Sequence, residues 1–193
     1  ILAGGYDRQH PHYQEVLSKL VRSEHTRRRV LSCMFSWPDN ALDERYREYD
    51  PWMRETFGGD AEIEYAQKAI FYEQLERADI IYLHGGRTRL LQDSITDIDR
   101  FRSAIDGKII IGSSAGANFL AKACFSPSAD AALPSTGLLD LGVVVHYGAS
   151  SFENRQLSDS FWYHASLDVR KRLGDSTTPL VLLPEGELVT IRL

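Results

Sequence analysis

Short apolar runs alternate with longer amphipathic stretches along the whole chain. Residues 1–3, 29–35, 61–65, 79–83, 107–111, 142–145, 179–183 and 187–193 read as strands, several of them continuous aliphatic runs of the kind buried on both faces. Between them, residues 12–23 place Val16, Leu17, Leu20 and Val21 on one helical face. Residues 41–56 form a charged, aromatic-bearing helical stretch that stops at Gly58-Gly59. Further helices are expected over 67–77, 87–105 and 115–123, and over most of 152–173. A loop rich in Ser, Pro and Ala is expected over 126–136. This alternation predicts an α/β fold. With 193 residues, no repeat and no interdomain linker, the expectation is one domain over 1–193. Ile1 reads as a strand already under way, and the chain stops inside another, so further residues are expected at either terminus.

The strands matter for where they end. The run Ile109-Ile110-Ile111 leads into Gly112-Ser113-Ser114-Ala115-Gly116, and an Ala- and Leu-rich helical segment follows. A buried strand that turns sharply through a serine into a helix is a nucleophile elbow. Its small neighbours permit the strained turn and let a substrate approach the hydroxyl. The next backbone N–H can stabilise a developing oxyanion. Two more strands end on useful chemistry, one at His84-Gly85-Gly86 and one at His146-Tyr147. Parallel strands bring their C-terminal ends to one edge, where ligands bind.

A serine nucleophile needs a base and a group that orients the base. Of the six histidines, His10, His12 and His25 lie in polar N-terminal segments and His164 lies within a helix. His84 heads a glycine turn, where it shapes the turn or touches substrate. His146 follows Val143-Val144-Val145 on the expected active edge and is the favoured base. For the orienting acid, Glu185 in Pro184-Glu185-Gly186 follows the 179–183 strand, a rigid place from which to face His146. The Gly85-Gly86 turn offers backbone N–H groups, and Arg87 and Arg89 add positive charge beside it.

Composition narrows the field. A net charge of -5 argues against a nucleic-acid partner. No apolar run reaches the ~20 residues that span a bilayer. Two widely spaced cysteines in apolar surroundings, Cys33 and Cys124, suit buried thiols in a reducing cytoplasm rather than a disulfide framework. No zinc pattern and no phosphate-binding G-x-x-x-x-G-K-[ST] occur, so neither metal nor cofactor is expected.

Taken together, Gly85-Gly86-Arg87-Thr88 with Leu90-Leu91, then Gly112-Ser113-Ser114-Ala115-Gly116-Ala117-Asn118, then His146-Tyr147, then Leu183-Pro184-Glu185-Gly186 resemble the dipeptidase E and cyanophycinase family of serine peptidases. The likeness covers the chain from about residue 79 onward. It implies a three-layer α/β sandwich with a mostly parallel central sheet, like the class I glutamine amidotransferases, and hydrolysis of peptides next to an aspartyl residue. Carried over by motif, Ser114 is the nucleophile, His146 the base, and Gly86 and Ala115 the oxyanion donors. Asp130 lies close to where an aspartate serves as the acid in some members, and is the alternative to Glu185. Acidic substrates make Arg87, Arg89 and Arg155 the candidate cations. Two departures stand out. Arg87 occupies a place where the family often has asparagine, and the interval between Ser114 and His146 is short. The compact chain offers no extra lobe for a long polymer, so a small peptide is the expected substrate. The oligomeric state is open, with a homodimer as one option. The rival readings are an α/β-hydrolase esterase and a binding module that retains the elbow. Against the first, nothing like an acid followed by a terminal histidine comes after Ser114.

Overall fold

The computed structural model describes residues 1–5, 11–21, 28–58, 61–127 and 129–192. The readings placed on His10, His25 and Gly59, and on the side chains of His12, Leu20 and Val21, fall outside the described part.

Most strands form where the apolar runs predict them. A six-stranded sheet contains β1 (Leu2–Ala3), β2 (Arg29–Cys33), β3 (Glu62–Tyr65), β4 (Ile80–Leu83), β5 (Ile109–Ser113) and β12 (Leu188–Val189), in the order β12-β1-β5-β4-β2-β3. Every neighbouring pair in it is parallel except β1 with β12. Alternate residues face opposite layers. Val30, Ile80, Tyr82 and Ile111 pack with Tyr13 and Leu17 of α1 (Pro11–Val21) and with Met53 and Phe57 of α2 (Leu42–Phe57). Leu31, Cys33, Ile81 and Leu83 pack on the other face. There they meet Phe71 and Leu75 of α3 (Phe71–Arg77), Leu91 of α4 (Thr88–Ser94), Phe101 of α5 (Ile98–Ala104) and Phe119 of α6 (Ala115–Leu120). Burial on both faces explains why β4 is an unbroken apolar run.

A second, four-stranded sheet has the order β11-β8-β6-β7, built from β6 (Ala123–Ser126), β7 (Ala131–Pro134), β8 (Gly142–Val145) and β11 (Leu180–Leu183). Its pairs are parallel except β6 with β7. Helix α7 (Asp159–Leu173) covers one face through Trp162, Ala165, Val169 and Leu173, against Ala123, Phe125 and Val144. The architecture is therefore α/β with helices on both sides of a mostly parallel sheet. Among the described residues no helix is long and apolar enough to cross a membrane.

Several segments differ from expectation, among them Ala123–Ser126, which forms β6 where a helix end and the start of a loop were expected. The stretch 87–105 is two helices, because the Asp97 carboxylate accepts the Arg100 N–H at 3.0 Å and starts α5 afresh. The loop expected at 126–136 contains β7, which pairs with β6 from Ser126↔Ala131 to Ala123↔Pro134. Pro134 is tolerated because β7 is an edge strand. The helical stretch expected from 152 begins instead as a hairpin, β9 (Ser151–Phe152) and β10 (Arg155–Gln156). Its two turn residues, Glu153 and Asn154, both have positive φ, as a two-residue turn between twisted strands requires. The Ser158 hydroxyl then caps α7 by accepting the Phe161 N–H.

The two sheets meet at the ends of β1, β8 and β11. The His146 N–H donates to Gly4 C=O at 3.0 Å, and the Gly186 N–H donates to Gly5 C=O at 3.3 Å. These bonds bring the residues that follow β4, β5, β8 and β11 to one place.

Candidate active site

Ser114 sits between β5 and α6 at φ 48° and ψ −104°, outside the regions that side-chain-bearing residues ordinarily adopt. Its N–H donates to Ala3 C=O at 3.0 Å, and its C=O accepts the Asn118 N–H at 2.9 Å, so both sides of the turn are tied down. The turn also needs Gly116, since a Cβ there would lie 2.2 Å from Leu83 O. The side chain of Ser114 is left half-buried at the cavity wall.

His146 also has positive φ, at 58°. Its Nε2 lies 2.8 Å from Ser114 Oγ and its Nδ1 lies 2.7 Å from Glu185 Oε1. A carboxylate at Nδ1 holds the ring hydrogen there, which leaves Nε2 to accept the Ser114 O–H. The His146 side chain is only 13% exposed and rests beside Phe152, with ring centroids 5.1 Å apart. Behind it lies Gly5, where a Cβ would stand 2.6 Å from His146 Cε1 and 2.9 Å from Nδ1. Gly5, just past the end of β1, thus makes room for the imidazole. A hydroxyl, an imidazole and a carboxylate linked in this way can move a proton off the hydroxyl and stabilise the resulting imidazolium.

The other sequence candidates separate cleanly. Asp130 does not reach the His146 ring in this arrangement; its carboxylate pairs with Arg155 at 3.2 Å, while Glu185 takes the acceptor position. Arg89 lines the cavity but bonds Asp93 at 3.0 Å. Arg87 lines it too, is exposed, and has no carboxylate partner among the described residues. His164 lies on the exposed surface of α7, its Nδ1 2.6 Å from Ser160 O. His84 is buried, with Nε2 2.9 Å from Ser32 Oγ, and burial lowers its pKa to about 3. It is a neutral prop beneath the Gly85-Gly86 turn. The N–H of Gly86 has no partner among the described residues. That of Ala115 precedes the first hydrogen bond of α6.

The cavity has a volume of about 640 Å³, within the range of small-molecule sites. Sequence reading missed several of its walls: Trp37 and Tyr49 from the β2–α2 side, Leu133 from β7, and Phe152 and Glu153 from the hairpin. None of these carries a local motif. Among the described residues no group of three or more His, Cys, Asp or Glu is placed to hold a metal ion.

The sequence model of Peptidase family S51 matches residues 61–192, more than half of the chain. The chain belongs to Peptidase family S51. It is accordingly a serine peptidase, acting on a peptide substrate. The fold resembles a solved peptidase from an acI-B1 actinobacterium, with a TM-score of 0.63 and 18% identity over 95% of this chain and 79% of that one. It also resembles a putative peptidase E protein from Listeria monocytogenes EGD-e, with a TM-score of 0.56 and 13% identity over 94% of this chain and 88% of that one. At these identities the structural likeness speaks for the fold. No curated protein sequence matches significantly.

Proposed function

We propose that this S51 peptidase hydrolyses small peptides with an N-terminal aspartyl residue through an acyl-enzyme at Ser114. The observation that carries the reading is the continuous line from Ser114 Oγ through His146 to Glu185, with links of 2.8 and 2.7 Å. Ser114 Oγ attacks the carbonyl carbon of the aspartyl residue while its proton passes to His146 Nε2. Glu185 holds the ring and its charge. The carbonyl oxygen becomes an oxyanion, stabilised by the N–H groups of Gly86 and Ala115. His146 then protonates the leaving amine, the C–N bond breaks, and an ester to Ser114 remains. Water, deprotonated by His146, cleaves that ester and restores the serine.

Arg87 supports the acidic preference. It lines the cavity and has no carboxylate partner among the described residues, unlike Arg89, and its guanidinium can donate to a substrate carboxylate in a two-bond fork. Glu153 lines the same cavity and supplies negative charge suited to an α-ammonium group. The free, buried Cys33 and Cys124 support a reducing compartment. The test is a hydrolysis panel of Asp-Leu, β-Asp-Leu, Leu-Asp and Ala-Leu, with Ser114→Ala as the blank. Asp-Leu is expected to be cleaved best. Arg87→Ala should raise KM for Asp-Leu by roughly 10-fold or more, the equivalent of one charge-assisted hydrogen bond, and leave Ala-Leu unchanged. Equal cleavage of Asp-Leu and Ala-Leu by the unmodified protein would refute the specificity.

A further inference from the structure

Ser36 lies in the turn after β2, away from the line of Ser114, His146 and Glu185, and it is fully buried. Its hydroxyl donates to Gly85 O at 2.7 Å and, more weakly, to His84 O at 3.3 Å. Its own carbonyl accepts the Arg87 N–H at 2.8 Å. Gly86 lies flat against it: a Cβ there would stand 2.8 Å from Ser36 O and 2.9 Å from Ser36 Oγ. On the other side the same turn faces the serine of the elbow, since a Cβ on Gly85 would lie 3.3 Å from Ser114 Cβ.

The Gly85 C=O and the Gly86 N–H belong to one peptide group. That group is planar and trans, so the two point in opposite directions, and holding one aims the other. A peptide between two glycines has little intrinsic preference for any orientation. The main-chain bond from Arg87 to Ser36 already closes the turn. The hydroxyl adds the hold on the one carbonyl that sets the direction of the Gly86 N–H, which has no partner among the described residues.

We propose that Ser36 is a positioning residue that aims the Gly86 N–H at the oxyanion; this rests on the reading of Gly86 as an oxyanion donor. Ser36→Ala removes a hydroxyl, leaves the main-chain tie in place and adds no volume. The probes are turnover of Asp-Leu and the labelling rate with a small alkyl fluorophosphonate, whose tetrahedral adduct places an oxygen where the oxyanion forms. Both kcat and the labelling rate should fall by one common factor, about 10-fold to 100-fold, short of the ~10²–10³ that follows complete loss of a donor. KM should stay within twofold, and the pH profile of kcat/KM should not move, because the His146–Glu185 pair is untouched. Ser18→Ala removes another buried hydroxyl, one that donates to Thr56 O at 2.7 Å away from the cavity, and should lower thermal stability while keeping kcat. Equal losses of kcat in Ser18→Ala and Ser36→Ala would mean general loosening and would overturn the proposal. So would an unchanged labelling rate in Ser36→Ala, with the Ser114 reading left standing. No labelling of the unmodified protein would instead bring down the Ser114 reading, and this inference with it.

Discussion

Gly5 offers the sharpest test of how the imidazole is held. In Gly5→Ala the new methyl group would stand 2.6 Å from His146 Cε1 and 2.9 Å from Nδ1. Carbon atoms in contact sit about 3.5–4.0 Å apart, so the ring must retreat by about 1 Å or the end of β1 must bend. Retreat stretches the 2.8 Å link to Ser114 and the 2.7 Å link to Glu185 together. A displacement of that size at a reacting group costs about 10²-fold in rate. The stability cost should come from two sources, about 1–3 kcal/mol for the added volume against a side-chain end and about 1–3 kcal/mol for a non-glycine residue at the φ of +156° that Gly5 adopts. The assay is kcat for Asp-Leu hydrolysis alongside thermal unfolding. Gly107→Ala is the complementary control. Gly107 has φ +70° with nothing within 4 Å of its would-be Cβ, so alanine there should cost about 1–2 kcal/mol of stability and leave kcat alone. A Gly5→Ala protein that keeps kcat within twofold of the parent would refute the claim that this close approach fixes the His146 ring.

Other outcomes follow from the same geometry. Glu185→Gln should lower kcat by about 10²–10⁴-fold with little change in KM, since the amide no longer holds the imidazolium, whereas Asp130→Asn should keep kcat; steady-state kinetics on both variants decide between the two acids. His84 should make the fold sensitive to mild acid. Burial holds the folded-state pKa down to about 3, against about 6.5 for an ordinary histidine, so the unfolded chain takes up the proton first. Its contribution is therefore intact above pH ~6.5 and is lost as the pH falls from there toward 3, at up to ~1.4 kcal/mol per pH unit. Denaturant unfolding at pH 7, 6 and 5 should show the slope, and His84→Gln should flatten it. The carboxyls held low by their hydrogen bonds, Asp50 and Asp175, add to the loss only at more acidic pH.

Much of this was legible from the chain because the decisive signals are local. The strand run Ile109-Ile110-Ile111 and the small residues around Ser114 specify a strand, a turn and a helix within a dozen positions. Val143-Val144-Val145 likewise put His146 at a strand end, and the 179–183 run put Glu185 at another, with Asp130 open as the alternative acid. The misread segments were those in which a weak local preference met a distant partner. Residues 131–134 become a strand only because β6 lies alongside, and the break before α5 depends on one carboxylate accepting one N–H. Gly5 and Ser36 were invisible for a stronger reason. Each acts on a residue far away in sequence, Gly5 on His146 and Ser36 on Gly85, and no pattern within a window of residues encodes a close approach between such positions. Trp37, Tyr49 and Phe152 reach the cavity in the same way, from segments with no motif of their own.

Acylation of Ser114 in catalysis can be read by treating the protein with an alkyl fluorophosphonate and locating the adduct by tandem mass spectrometry. One adduct is expected, on Ser114, with activity lost in step with labelling and no adduct in Ser114→Ala. An adduct on the adjacent Ser113, or full labelling of the Ser114→Ala protein, would contradict it.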